Sequence, residues 1–324
     1  MKLLLCLLMN ISAESGARLI QVAAEYDGQR IDNFLLRTLK GVPKSRVYRI
    51  LRKGEVRVNR GRIRPDYRLH AGDLVRIPPV RLSVADNERH PPQPLLERVR
   101  EAILLEDREV LVLNKPAGIT VHKGSGVDFG VIEALRALRP EAPFLELAHR
   151  LDRETSGCLV LAKTPAALQA VHTALRAHTA AKHYLALVRG HWNQGTWEVT
   201  APLRKNVLRG GERLVQVVEG GGRPARTCFK PISLFRQAAL LKVEIATGRT
   251  HQIRVHAAHI GYPIAGDDKY GDPAFNREMA RYGLRRLFLH AHSLTVPLGG
   301  REIAVSAPLD ETLREVLERL ETES

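Results

Sequence analysis

The chain has 324 residues, 44% hydrophobic and 26% charged, a balance that excludes an intrinsically disordered protein and suffices for one sizeable core plus a smaller module. Fifty Lys+Arg against 35 Asp+Glu leave a net charge of +15, which points to a polyanionic partner, either nucleic acid or an acidic membrane surface. No run approaches the roughly 18 apolar residues of a membrane-spanning helix, so a membrane partner is not expected.

Residues 1–27 read as an N-terminal extension. Lys2 followed by Leu3 to Met9 has the form of a short signal peptide, but the apolar stretch is minimal and a single positive charge precedes it. An overlong start or a disordered tail is expected, not export. From Arg30 to Lys40, Ile31, Phe34, Leu35 and Leu39 recur at helical spacing. After a Gly41-Val42-Pro43 break, Val47, Ile50 and Leu51 repeat the pattern between Lys44 and Lys53, while Arg46, Arg49 and Lys53 form a separate basic stripe. Gly54 predicts a left-handed helix stop, Glu55 to Asn59 a strand, Arg60-Gly61 a turn, and Leu74 to Ile77 a second strand.

Between Asp27 and Pro79, fourteen Lys+Arg stand against five acids, so most of the surplus charge is concentrated here, as phosphate contact requires. The alternative for the stripe is a solvated helix face; the scarcity of acids favours RNA contact. Arg30-Ile-Asp-Asn-Phe34, Val42-Pro-Lys-Ser-Arg46 and Gly54-Glu-Val-Arg-Val-Asn59 resemble the S4 RNA-binding domain, placed at residues 28–79. Lys44, Arg46, Arg49, Arg52 and Lys53 are its expected RNA contacts.

Residues 80–98, polar and Pro-containing, read as a linker. A second domain spans 99–324, opening on the strand-like Glu109 to Asn114 and closing on the helix Glu311 to Leu320. The cysteines, Cys6, Cys158 and Cys228, lie too far apart for a disulfide framework or a metal clip, which suits a reducing compartment.

Three clusters in the second domain could carry chemistry. In Ala148-His-Arg-Leu-Asp-Arg-Glu-Thr-Ser-Gly157, Asp152 lies between Arg150 and Arg153, whose charges favour a carboxylate ready to act as nucleophile or base. The continuous apolar run Cys158 to Ala162 predicts a buried strand beyond it, so the cluster is a loop presented by a rigid sheet. From the pattern alone, a structural salt bridge serves Asp152 as well as catalysis does. A Ser156-His149-Asp152 triad lacks the Gly-x-Ser-x-Gly elbow. The second cluster, Glu244 to His256, alternates Gln252, Arg254 and His256 with Ile253 and Val255, which predicts a strand with a polar face. It has no His-Glu-x-x-His and no nearby cysteine, so no metal site is expected. Third, Lys182 to Gly190 is an alternating strand carrying Tyr184, which taken singly reads as core packing before it reads as a platform for a base.

Taken in order, His149-Arg-Leu-Asp-Arg-Glu-Thr-Ser-Gly157, Asn114-Lys-Pro-Ala-Gly118, Lys182-x-Tyr184, Gly248-Arg-Thr-His-Gln-Ile-Arg254 and Gly266-Asp-Asp-Lys-Tyr-Gly271 strongly resemble the RluA-type pseudouridine synthase family. The resemblance runs from about Arg30 to Pro308. It implies an α+β chain: a small S4-type module plus a catalytic domain on a long, mostly antiparallel sheet. The implied activity converts uridine to pseudouridine in large-subunit ribosomal RNA. In the family's terms Asp152 is the catalytic carboxylate, Arg254 pairs with it, Tyr184 stacks on the base and Ile253 fills the pocket wall. Arg150 is expected to fill the space left by a flipped nucleotide. No cofactor, a cytoplasmic location and a monomer are the accompanying expectations. The alternatives are a non-catalytic RNA-binding or ribosome-assembly protein, and a synthase acting on transfer RNA.

Overall fold

The computed structural model describes residues 17–39, 42, 44–80, 90–124, 127–207 and 213–323, with the backbone alone at 44–45, 206–207 and 213. The Leu-rich start lies outside the described residues. The described residues form two compact units, divided after residue 90.

In the first unit, helices Ile31–Thr38 and Lys44–Arg52 pack on a four-stranded antiparallel sheet. Ile31, Phe34, Leu35, Val47, Ile50 and Leu51 meet Val56, Val58, Val75 and Ile77 in one core, so both helical patterns bury the faces that their spacing predicts. Asp32 joins the helices, accepting from Arg30 and from the Tyr48 hydroxyl. Asn59 (φ 46°) and Arg60 (φ 68°) both adopt left-handed backbone, the geometry of the two-residue turn that suits strand twist. This unit begins earlier than residue 28: strand Arg18–Gln21 pairs with Leu74–Ile77, and Val22 is buried. None of its four residues is buried, so it carries no alternation from which a strand could be read.

The linker is correspondingly shorter. Gln93–Glu101 is a helix of the second unit, with Val99 buried and Leu95 and Leu96 packed on that unit's core. Its proline, Pro94, lies in the first turn, where a missing N–H costs the helix nothing. Residues 81–89 lie outside the described residues.

The second unit is built on a ten-stranded sheet. Its main path runs Trp197–Thr200, Arg226–Leu234, Ala238–Ile245, Ala181–Arg189, Leu289–Leu298, Ser156–Ala162, Val110–Lys115, Ile103–Glu106. Arg301–Ser306 adds to Leu289–Leu298, and Glu146–Leu147 to Ser156–Ala162. All these pairings are antiparallel except one: Leu289–Leu298 runs parallel to Ser156–Ala162, with His290 opposite Ser156 and Ala291 opposite Gly157. Ser156–Ala162 is buried along its whole length. Leu159 and Leu161 face the core beneath helices Gln93–Glu101 and Val131–Leu138, whereas Val160 and Ala162 face helix Pro165–Arg176. Cover on both faces explains a run with no alternation.

The segment expected as a strand over Gln252 to His256 is instead the helix Gln252–His259. Residues 252–257 are all buried, so the helix shows neither an apolar stripe nor a polar face from which its period can be read. Its polar side chains are satisfied internally. The Gln252 amide donates to the Arg226 carbonyl and to Thr227, and His256 bonds Thr227 and the Ala201 carbonyl.

Candidate active site

Residues 149–155 form the loop that feeds strand Ser156–Ala162 at its parallel joint. Gly157 (φ 109°) sits at that joint, and a Cβ there would overlap the Ala291 backbone. Lys115, wholly buried, holds the loop from below: its ammonium donates to the carbonyls of Pro116, Ile119 and Arg153. Burial pushes Lys115 down to about 7. Gly118 N–H also donates to the Arg153 carbonyl, while the Arg153 side chain turns back to the Gly118 carbonyl. The residue next to Asp152 is thus fixed by buried backbone contacts rather than by surface charges.

Asp152 lines a cleft whose empty space is about 500 Å³, together with Arg150, Tyr184, Ile253 and Arg254. All five candidate residues of the second domain therefore meet at one place, although they come from three separated stretches of sequence. Tyr184, on strand Ala181–Arg189, is nearly buried among the core side chains that also include Ile253. Burial, and then the Asp152 charge, push its phenol well above the usual range. Arg150 is exposed.

Arg254 departs from its expected pairing. Its Nε and Nη2 donate to the two carboxylate oxygens of Asp267 at 2.7 Å each, with side chains 7% and 0% exposed. Asp267, the one buried residue of the 266–271 turn, captures the guanidinium because the Lys269 and Tyr270 N–H groups already hold its carboxylate in place. Burial alone would raise Asp267, but Arg254 reverses that and holds it below the usual carboxylate range. Arg254 also lies over the Tyr270 ring at 5.1 Å. Beside Asp152 stands His251, whose Nε2 is 3.9 Å from the Asp152 Oδ2.

Three contributors went unassigned in the sequence: His251, Asp267 and Tyr270. Each lies inside a motif noted above, yet nothing in spacing alone shows that residues 251 and 270 meet at 2.8 Å. The triad combination is absent among the described residues. Ser156 bonds His290 Nδ1 and accepts from Arg286, and His149 Nε2 accepts the Val160 N–H.

In the first unit, Arg49, Arg52 and Lys53 are exposed on helix Lys44–Arg52 and just beyond it, and Arg46 is half-buried. The side chain of Lys44 lies outside the described residues. A second basic feature is visible only in the register: Arg57 stands opposite both Arg76 and Arg62 on neighbouring strands, all three exposed.

Residues 109–259 match the family described as RNA pseudouridylate synthase, and residues 29–75 match the S4 domain. Ribosomal large subunit pseudouridine synthase C of Escherichia coli (strain K12) is 54% identical over 312 residues, covering 94% of this chain and 97% of that one. The protein of the same name from Pasteurella multocida (strain Pm70) is 53% identical over 307 residues, 93% of each chain. Among solved structures, Human RNA Pseudouridylate Synthase Domain Containing 4 matches with a TM-score of 0.59 at 27% identity, covering 70% of this chain and 96% of that one. The cleft of the second unit and the S4 module ahead of it are therefore those of an enzyme: the chain belongs to the RNA pseudouridylate synthase family.

Proposed function

We propose that this chain converts uridines of large-subunit ribosomal RNA to pseudouridine, with Asp152 acting at the ribose. The observation that carries the reading is the convergence of Asp152, Tyr184 and Arg254 on one cleft, supported by two relatives more than half identical over nearly their whole length and named for that activity. The reaction breaks the N1–C1′ bond of uridine, turns the base and joins C5 to C1′, after which the C5 proton leaves. The carboxylate serves either by attacking C1′ or by removing the 2′ proton to give a glycal; both need an anion held at fixed height beneath the sugar. The anchored loop around Arg153 supplies that fixity. Tyr184, a protonated phenol in a wall of apolar side chains, offers its ring to the base, with Ile253 beside it. Arg254, its charge shared with Asp267, adds a positive field without clamping Asp152.

A stacked base cannot enter such a cleft, so the nucleotide flips out. Arg150, exposed at the cleft, fills the vacated position by stacking its planar guanidinium. The chemistry involves no redox or phosphoryl step and calls for no cofactor. We place the chain in the cytoplasm, acting as a monomer; no helix among the described residues is long and apolar enough to cross a membrane. The test is tritium release from RNA labelled at uridine C5. Large-subunit RNA is expected to release tritium and transfer RNA to release none; the reverse pattern transfers the proposal to the transfer-RNA class.

The S4 unit anchors the RNA through Arg46, Arg49, Arg52, Lys53 and Lys44, and through the Arg57–Arg62–Arg76 row. Like charges placed directly opposite one another on a sheet are destabilising, so an exposed row of three suits a surface that meets phosphates. Replacing all three with Ala is expected to flatten the slope of log K against log salt by about 2 to 3, near 0.9 per phosphate. It should also leave the thermal midpoint of the S4 unit unchanged or raised. Salt-titrated filter binding alongside a melting curve checks both.

A further inference from the structure

We propose that His251 is a positioning residue for Asp152, a neutral imidazole that presents Nε2–H to the carboxylate and is locked in that tautomer by Tyr270. The inference rests on the reading of Asp152 given above and deepens it. Its first support is the backbone. His251 has φ 53° and ψ 21° immediately before helix Gln252–His259, and its side chain makes no capping hydrogen bond there. Left-handed backbone is unfavourable for a residue with a Cβ and is found where surrounding structure imposes it for a purpose. Here the ring faces the cleft rather than the helix end.

The second support is the hydrogen bonding of the ring. His251 Nδ1 lies 2.8 Å from the Tyr270 hydroxyl, and that oxygen already accepts the Val215 N–H at 3.0 Å. The phenol keeps its proton, because burial raises Tyr270 above its ordinary value. That proton has no other acceptor among the described residues, so it goes to Nδ1, and the ring hydrogen belongs on Nε2. Nε2 is the atom that stands 3.9 Å from Asp152 Oδ2. That separation exceeds a hydrogen bond, and sites of this kind close by such distances when substrate binds.

The third support is the disposition of charge. Arg254, the buried cation of the cleft, spends both guanidinium contacts on Asp267. Asp152 is left beside a donor that orients it without carrying a permanent charge. A fixed cation in that place would hold the lone pairs that the reaction needs; a neutral N–H aims them. Protonating His251 undoes both features: Nδ1 can no longer accept from Tyr270, and a positive charge then faces Asp152. Besides Asp152, the charged and titratable groups around the ring are Arg254 on its own helix, Asp267, Lys269 and Tyr270 from the 266–271 turn, and Arg150 and Arg249, which line the same cleft. The rate is therefore expected to fall as pH drops through the His251 value. Burial, partly opposed by Asp152, keeps that value below the usual imidazole range.

The experiment compares wild type, His251→Asn, His251→Gln and Tyr270→Phe in single-turnover tritium release at saturating RNA, from about pH 5 to about pH 8, with RNA affinity measured in parallel. Asn tolerates left-handed backbone but is too short to reach Asp152, and is expected to lose about 10²-fold in rate, as a misplaced reacting group does, at unchanged RNA affinity. Gln extends an uncharged N–H to the carboxylate and should recover much of that loss, with the acid limb of its profile displaced to lower pH. Tyr270→Phe releases the tautomer and should also move the acid limb. A wild-type rate in His251→Asn, or an acid limb in His251→Gln identical to wild type, overturns the proposal while leaving Asp152 as the carboxylate. Absence of release from wild type itself overturns the underlying reading and this inference with it.

Discussion

Asp152→Asn is expected to lower tritium release from uridine-C5-labelled RNA by roughly 10³-fold or more, at unchanged RNA affinity. The size of the effect follows from what the substitution removes. Asn is isosteric but has neither the negative charge to stabilise developing charge at C1′ nor a lone pair basic enough to take the 2′ proton. The effect on folding should be small, because the Asp152 carboxylate receives no hydrogen bond among the described residues. Its loop is held instead by Lys115 and by Gly118 through the Arg153 carbonyl. A change within about 0.5 kcal/mol is expected, so equal melting curves and equal binding isolate the chemistry. A wild-type protein that binds RNA tightly and releases nothing, indistinguishable from Asp152→Asn, belongs to the non-catalytic alternative.

The elements legible in sequence are those whose burial shows in the order of apolar residues: two-sided in the unbroken run Cys158 to Ala162, one-sided in the helices of the first unit. Ile31, Phe34, Leu35 and Val47, Ile50, Leu51 each lie on one face of an amphipathic helix, so composition and period agree. Leu74–Ile77 alternates cleanly because Val75 and Ile77 point to the core while Leu74 and Arg76 point to solvent. Helix Gln252–His259 defeats the same reasoning. Arg254 and His256 are buried, and their partners Asp267, Thr227 and the Ala201 carbonyl come from distant segments. Nothing local distinguishes a buried, paired arginine from a strand residue facing solvent. The arginine row of the S4 sheet was hidden for a related reason: Arg57, Arg62 and Arg76 become neighbours only through strand register. The cleft was readable by resemblance, yet which carboxylate holds Arg254 depends on a turn that no spacing rule describes.

That turn carries the largest expected effect on folding. Asp267→Ala leaves Arg254 as an uncompensated charge in a site where its side chain is 7% exposed, and strands the Lys269 and Tyr270 N–H groups as well. Breaking a buried pair from one side costs about 3–5 kcal/mol, which in a unit of this size lowers the thermal midpoint by roughly 10 °C. The pH dependence has a definite sign. Asp267 is held below its ordinary value by Arg254, so its contribution is fully present above the ordinary carboxylate range and is lost as pH falls through the lower, folded value. Wild type should therefore lose an increment of stability in acid that Asp267→Ala never had, and the two melting curves should converge there. The double variant Arg254→Met/Asp267→Leu separates folding from chemistry. It removes both charges, and matched apolar replacements of a buried ion pair are often neutral or stabilising, so the melting temperature should return apart from what the Lys269 and Tyr270 N–H groups, still without their acceptor, continue to cost. If the double variant regains the melting temperature but not the tritium-release rate, the Arg254 charge acts on the reaction at Asp152. If the rate returns with the stability, the pair serves only to close the 266–271 turn over the helix, and the electrostatic contribution assigned to Arg254 is withdrawn.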